Sequence, residues 1–310
     1  MELILSILAG VGLFLYGMNL MSDGLQKVAG QKMRDVLEKL TKSSIMGLIL
    51  GIVFTGIIQS SNATTVLVVS FVNSGIMKLS QSVGVIMGAN IGTTVTGQLI
   101  SFKLDAIAPF FIIAGVILVM FIKKPMAKRI GEVVLGFGIL FFGMSTLSSS
   151  VKHLNQFAAV KTLFGSVTNP FLAVLIGFVL TSILQSASAS VGILIVLASS
   201  GLIHPDICYY IIMGCDIGAC GSAVLSSLGG NKDAKRAALI HLSFNVIGTV
   251  IVMILLALAG DPIRSAIHGL TASIADTGLR AGRDVANINS ILKVSQVIIL
   301  FPFSKYLILL

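Results

Sequence analysis

The chain has 310 residues, 55% of them hydrophobic and 11% charged, with 32 glycines and a mean hydropathy of +1.02. A soluble domain of this length cannot hide so much apolar surface, so the composition points to an all-α polytopic membrane protein embedded in a lipid bilayer. Lys and Arg number 21 against 12 Asp and Glu, a formal charge of +9. The basic residues fall in short loops, where they orient a membrane chain, and a nucleic-acid role is set aside.

Residues 3–22 are predicted as the first membrane helix. The N-terminus has neither a basic leader nor a small-residue cleavage site, so it reads as a retained helix and not a removed signal. Residues 27–42 follow, with Val28, Met33, Val36, Leu37 and Leu40 at helical spacing among Lys27, Lys32, Arg34, Lys39 and Lys42. That pattern predicts an amphipathic helix lying on the membrane surface.

Residues 44–73 then read apolar, polar, apolar, with Gln59-Ser60-Ser61-Asn62-Ala63-Thr64-Thr65 in the middle. Each apolar arm is shorter than the ~20 residues a spanning helix needs. Ser and Asn side chains compete for backbone hydrogen bonds and favour breaks. In hydrocarbon a break survives only where protein buries it or where it lines a wet cavity. A re-entrant helical hairpin with the polar motif at its tip is expected. Residues 79–102 are long enough to cross but contain Gly88-Ala89-Asn90-Ile91-Gly92-Thr93-Thr94, which is expected to unwind the helix in mid-membrane. Residues 105–122 read as an ordinary spanning helix, ending at the basic loop 123–129.

The pattern then repeats. Gly17-Met18 returns as Gly143-Met144, Gln59-Ser60 as Gln185-Ser186, Gly75 as Gly201, Met87-Gly88 as Met213-Gly214 and Ile91-Gly92 as Ile217-Gly218, always 126 residues later. A constant offset over such a length marks a duplicated unit. Placing the basic stretches 27–42, 123–129 and 232–236 on the cytoplasmic side requires an odd number of crossings per unit, so the second copy is expected to be inverted. Its parts are a hairpin over 171–200 with tip Gln185-Ser186-Ala187-Ser188-Ala189-Ser190, a broken helix over 206–228 with break Gly214-Cys215-Asp216-Ile217-Gly218, and a crossing helix over 237–259. A mixed-charge external segment, 261–287, and a final helix, 288–310, close the chain. The expected units are repeats 1–126 and 127–260 and a terminal segment 261–310. Cys208, Cys215 and Cys220 are too few and too clustered for a disulfide framework and read as small buried packing residues.

Inverted repeats with discontinuous helices near the midplane characterise secondary transporters. Helix N-termini offer N–H groups and partial positive charge to an anion, while freed carbonyls and hydroxyls suit a small hard cation such as sodium. The expected fold is therefore an inverted-repeat secondary transporter with two re-entrant hairpins and two broken transmembrane helices.

The residues Gln59 to Thr65, the run Gly88 to Thr96 and the repeated Gln185-Ser186 resemble the paired motifs of the sodium/phosphate cotransporter family (type II, with its bacterial members). The similarity extends over essentially the whole chain. It implies sodium-coupled transport of inorganic phosphate across the cytoplasmic membrane by alternating access. Phosphate is assigned on this resemblance to Ser60, Ser61, Asn62, Thr64, Ser186, Ser188 and Ser190, and sodium to Gln59, Asn90, Thr93, Thr94, Gln185 and Asp216. It also implies a cytoplasmic domain like a phosphate-uptake regulator beyond residue 310. Four positions depart from the family pattern: Ala187 replaces a polar residue in the second tip, Asp216 stands where the first copy has Asn90, and Asn289 and Lys293 replace a second His-x-x-x-Asn element like His241 to Asn245.

Asp216 is the sharpest position, because a mid-membrane carboxylate must be paired or bind a cation. Lys293 either balances it or snorkels. Gln59 and Gln185 are read as bracing the tips and acting on the ions indirectly. For His241 and Asn245, one turn apart, an interhelical hydrogen bond is favoured over ligand contact. An intramembrane enzyme is disfavoured: there is no His-Glu-x-x-His, one well-placed acid and no Ser–His pair at matching depth. An exporter, a channel for phosphate or another small anion, and a non-transporting phosphate sensor are the rival readings.

Overall fold

The computed structural model describes residues 2–41, 43–102, 104–154 and 156–309. The regular elements among them are helices: α1 (Glu2–Leu40), α2 (Ser44–Ile58), α3 (Ser61–Asn73), α4 (Leu79–Gly92), α5 (Thr94–Ile100), α6 (Ala108–Met120), α7 (Pro125–Leu154), α8 (Ala158–Gly165), α9 (Pro170–Leu184), α10 (Ala187–Ser199), α11 (Pro205–Ser227), α12 (Lys232–Gly269), α13 (Thr277–Leu300) and α14 (Ser304–Leu309). Among the described residues, six stretches are helical, long and apolar enough to cross a membrane: Glu2–Gly30, Leu79–Ile100, Pro125–Leu154, Pro205–Ser227, Lys232–Gly269 and Thr277–Leu309. Large apolar side chains such as Phe110, Phe171, Ile183 and Leu258 stand on the outer faces more than two-thirds exposed. A surface of that kind needs lipid around it, and the protein is a multi-pass membrane protein.

The duplication is written into the backbone. α2 and α9 have bounds that differ by 126 residues at both ends, and so do α3 and α10. Gly75 and Gly201 turn the chain after α3 and α10 with φ of 75° and 73°, a region open to glycine at little cost. The equivalent helices α4–α5 and α11 form the centre. Of their apolar stretches 78% and 67% are buried, against 22% for the N-terminal span.

α1 and its repeat-mate α7 pack antiparallel. Gly10 lies against Leu147, Gly17 against Leu140 and Gly24 against Val133, and Lys27 Nζ reaches Glu132 Oε2 at 2.7 Å. A shift by 126 returns the same interface with its sides exchanged, Gly136 against Met21 and Gly143 against Phe14. α4 and α11 also run in opposite senses. α4 begins just after Asn73, which accepts from the backbone of Asn231 at 2.8 Å, next to the end of α11. α5 ends just before Ser101, whose Oγ accepts from Arg283 at 2.8 Å, and α13 starts at the end where α11 starts.

Four parts of the expected architecture are corrected here, the two helix breaks counted together. The surface helix over 27–42 is not a separate element: α1 continues without interruption to Leu40, and Lys42 lies outside the described residues. The break over 88–94 shrinks to a single turn residue, Thr93, which itself keeps helical angles (φ −65°, ψ −19°). The second break does not occur at all, because α11 is continuous through Gly214 and Gly218. The glycines serve contact and not unwinding. A Cβ on Gly88 would strike the Leu48 carbonyl, and one on Gly214 the Val174 carbonyl, so small residues let α2 and α9 press onto α4 and α11. Without competing water the helical backbone bonds hold through glycine.

The third correction concerns 105–122. It yields a 3-10 turn, Asp105–Ile107, and the 13-residue α6. That is about 26 Å of helix at most, short of a ~30 Å hydrocarbon core. The fourth concerns the final helix, expected from 288: α12 kinks at Ala259 (φ −139°, ψ 34°) and runs past Pro262 to Gly269, and α13 already starts at Thr277. Leu310, the end of the expected final helix, lies outside the described residues.

The contact reading of the glycines has a direct check. Gly214→Ala is expected to lower the thermal midpoint of the detergent-purified protein, by overpacking worth about 1–3 kcal/mol. Gly221→Ala, on the same helix with nothing within 4 Å of its Cβ, is expected to leave the midpoint unchanged or raise it slightly.

Candidate functional site

The helix breaks at both polar motifs expected as tips, and it breaks in the same way. α2 stops because Gln59 turns left-handed (φ 60°, ψ 24°), its N–H still bonded to Thr55 O. Ser60 then lies extended, and its Oγ accepts the backbone N–H of Ala63, capping α3. In the second copy Gln185 is left-handed (φ 55°, ψ 23°) and Ser186 caps α10 through the N–H of Ala189. They are the positive-φ residues other than glycine among the described residues. A left-handed glutamine costs on the order of 1–3 kcal/mol, and strain of that kind concentrates where function holds it in place.

The side chains of the two glutamines lock the strained turns. Gln59 Nε2 donates back to Gly56 O, and its Oε1 accepts from Thr96 Oγ1 at 2.7 Å. Gln185 Nε2 donates to Ser182 O at 2.5 Å, and its Oε1 accepts from Ser222 Oγ at 3.1 Å. Thr96 and Ser222 are themselves 126 residues apart. One turn behind each tip a hydroxyl pair closes the base, Thr55 with Thr64 at 2.8 Å and Thr181 to Ser190 at 2.7 Å.

The tips meet. Asn62 Nδ2 donates to Gln185 O at 2.7 Å and to Ser222 Oγ at 3.1 Å, and Thr93 Oγ1 pairs with Ser188 Oγ at 2.9 Å. Between them lies a cavity of about 90 Å³, lined by Gln59, Ser60, Ser61, Asn62, Gln185, Ser186, Ala187 and Ser188 with Met18, Asn19 and Ser22 of α1. At ~30 Å³ per water this is the scale of a small oxyanion and well below a drug-sized pocket. No lining residue is charged. The cavity instead receives the N-termini of α3 and α10 from its two sides, which bring backbone N–H groups and partial positive charge to one place.

Of the residues assigned to phosphate, Ser60, Ser61, Asn62, Ser186 and Ser188 line this cavity. Thr64 and Ser190 do not: both are fully buried in the hydroxyl pairs behind the tips. Of the residues assigned to sodium, Gln59 and Gln185 also line it, and Thr93 touches it through Ser188. Thr94 bonds Ile91 O at 2.8 Å on its own helix. Asn90 and Asp216 lie elsewhere, both against Lys293: Nζ forms a buried ion pair with Asp216 and donates to Asn90 Oδ1 at 3.3 Å. Asn245 Nδ2 bonds Cys220 Sγ across to α11 at 3.2 Å, the interhelical role expected for it. The three cysteines are free and buried.

Residues missed in the sequence are Asn19 and Ser22, polar at i and i+3 in the apolar first half of α1, and Ser222, which its offset from Thr96 could have singled out. Ser22 Oγ donates to Ile58 O at 3.0 Å, tying α1 to the first tip.

The sequence model of the Na+/Pi-cotransporter family matches residues 13–149 and again residues 142–275, one match to each copy of the duplicated unit. The chain is similar to the uncharacterized protein YqeW of Bacillus subtilis (strain 168), 34% identical over 256 residues, 82% of this chain and 82% of YqeW. It is 30% identical over 251 residues to the Escherichia coli (strain K12) protein YjbB, provisionally named for inorganic phosphate export, covering 81% of this chain and 46% of YjbB. A shorter stretch of 96 residues is 33% identical to the sodium-dependent phosphate transport protein 2A of Mus musculus, 30% of this chain and 15% of that protein. No solved structure matches the chain. With two family matches laid end to end over both strained, serine-capped tips, the chain belongs to the Na+/Pi-cotransporter family.

Proposed function

We propose that the protein moves inorganic phosphate across the cytoplasmic membrane, coupled to sodium, by alternating access of two inverted repeats. The observation that carries this reading is the uncharged cavity of about 90 Å³ where the two tips and the N-termini of α3 and α10 converge. Phosphate is held there by Ser60, Ser61, Asn62, Ser186 and Ser188 together with backbone N–H groups. Gln59 and Gln185 hold the tips in shape, with Thr64 and Ser190 behind them. Sodium is placed beside the anion, among Gln59, Gln185, Thr93 and Thr94, where its charge offsets that of phosphate.

Inversion is supported by the antiparallel pairing of α1 with α7 and by the opposite senses of α4 and α11. The tips are also unequal, since Gln59 is 7% exposed while Gln185 is exposed. That is the asymmetry a one-sided access state requires: α2–α3 and α9–α10 would enter from opposite faces, and exchanging their environments opens the other side. The basic residues support an orientation too. Arg129 Nη1 donates to Lys27 O at 3.1 Å, which brings stretches 27–42 and 123–129 to one face, the cytoplasmic one by the positive-inside rule.

The names of the relatives point in two directions, export for YjbB and sodium-dependent transport for the mouse protein. The gradients present decide the net direction of a reversible carrier. The test is uptake of radiolabelled phosphate into proteoliposomes holding the purified protein, with an inward sodium gradient or choline in its place. Saturable flux several-fold faster with sodium is expected. Saturable flux indifferent to sodium would remove the coupling, non-saturating flux would indicate a channel, and binding without flux a sensor.

A further inference from the structure

Asn90 and Asp216 occupy the same place in the two copies of the repeat, since 216 − 90 is 126. Both are contacted by one group, the ammonium of Lys293, which pairs with the Asp216 carboxylate and donates to Asn90 Oδ1 at 3.3 Å. All three side chains are buried, Lys293 and Asp216 at 2% exposure. None of them lines the phosphate cavity. Lys293 comes from α13, beyond the second family match, which ends at residue 275, so the duplicated unit supplies the two oxygens and a helix outside it supplies the positive charge. On the same face of α13, one turn to either side of Lys293, the buried Asn289 Oδ1 and both polar atoms of the buried Gln296 side chain have no hydrogen-bond partner among the described residues. The two groups that contact the ammonium are therefore a carboxylate and an amide oxygen, oxygen donors of the kind that hard cations select.

We propose that Lys293 is a tethered cation, filling between Asn90 and Asp216 a site that a free alkali cation occupies once the lysine is removed. A brace between helices would need only one acid and one base in contact. Here the base sits between two repeat-equivalent positions, one of which carries charge and the other only a dipole. With its charge supplied by the chain, this place takes up no sodium in the native protein. Any sodium coupling then uses the oxygens around the tips alone, and the number of ions moved is one fewer than the repeat symmetry would allow. The inference bears on the sodium side of the transport reading but rests on the three residues themselves, and its test contains no phosphate.

Thermal unfolding of the purified, detergent-solubilised protein is compared in sodium chloride and in choline chloride at equal ionic strength, for wild type, Lys293→Met and Asp216→Asn/Lys293→Met. The expected result is a saturable sodium-specific rise of the Lys293→Met midpoint, about 2–4 °C beyond any rise in wild type, as binding to the folded state alone requires. In the double variant that additional rise disappears. A folded Lys293→Met protein with no additional sodium response overturns the proposal, and so does an equal response in the double variant. Failure of Lys293→Met to fold in either salt overturns it as well, because a place that a free cation can fill does not depend on the tether for folding.

Discussion

Ser61→Asp is expected to separate binding from stability, weakening phosphate binding by on the order of 100-fold while leaving the protein as stable as before or more so. Ser61 is the first residue of α3 and lines the tip cavity. A carboxylate in the first turn of a helix interacts favourably with the N-terminal dipole, worth about 0.3–1 kcal/mol. The same charge faces the anion. At roughly 5 Å and an effective dielectric near 20, two unit charges repel by about 3 kcal/mol, which corresponds to roughly two decades in affinity. Ser61→Asn, neutral and of similar size, is expected to stay within a few-fold of wild type. Equilibrium binding of radiolabelled phosphate and thermal unfolding of the same preparations measure the two effects. Loss of binding together with loss of stability would mean that Ser61 only packs the tip.

Asp216→Ala is expected to be the most destabilising single substitution in the protein, lowering stability by about 3–5 kcal/mol and the thermal midpoint by about 10 °C. The pair it breaks is sealed: Lys293 and Asp216 are each 2% exposed, and removal of the acid leaves the ammonium with the amide oxygen of Asn90 as its partner. An uncompensated buried charge costs far more than a surface pair of the same geometry, whose loss is worth about 0–1 kcal/mol. Lys27 with Glu132 is such a pair, 51% and 25% exposed, and Glu132→Ala is expected to move the midpoint by no more than a degree or two. Unfolding curves of the two variants side by side make the comparison. Equal effects would mean that the interior around α4, α11 and α13 is wet enough to solvate a lone charge.

The parts of the fold legible in the sequence are those where residue type has one physical meaning. The run Gln59 to Thr65 could not continue an apolar helix, and its recurrence 126 residues later located the second tip to the residue. What the sequence did not disclose was which residue takes the left-handed turn. Glutamine is not a residue that favours it, and only the locks to Thr96 and Ser222 explain how it is held.

The glycines mislead for a different reason. In water a Gly-x-x-x-Gly run weakens a helix, and Gly88 to Gly92 and Gly214 to Gly218 suggest breaks by that rule. In a membrane the same spacing admits a neighbouring backbone, and α4 and α11 keep their turns. The sequence shows that Asp216 needs a partner but not that Lys293 is the one, because contact between residues 77 apart (293 − 216) depends on how α13 packs. The spacing of Asn289, Lys293 and Gln296 at i, i+4 and i+7 on one face of α13 was the available sign that this helix turns a polar stripe inward.

The interface of α1 with α7 has a consequence for how such a chain could arise. Its contacts come in exchanged pairs, Gly17 against Leu140 answered by Gly143 against Phe14, and Gly10 against Leu147 answered by Gly136 against Met21. That is the isologous pattern of a twofold dimer, here joined within one polypeptide. A forerunner of half the length could have built the same contact between two identical chains inserted in opposite senses. Fusion then freed each copy to change alone. The replacement of one amide by one carboxylate, Asn90 and Asp216, is a difference that two identical chains could not have carried.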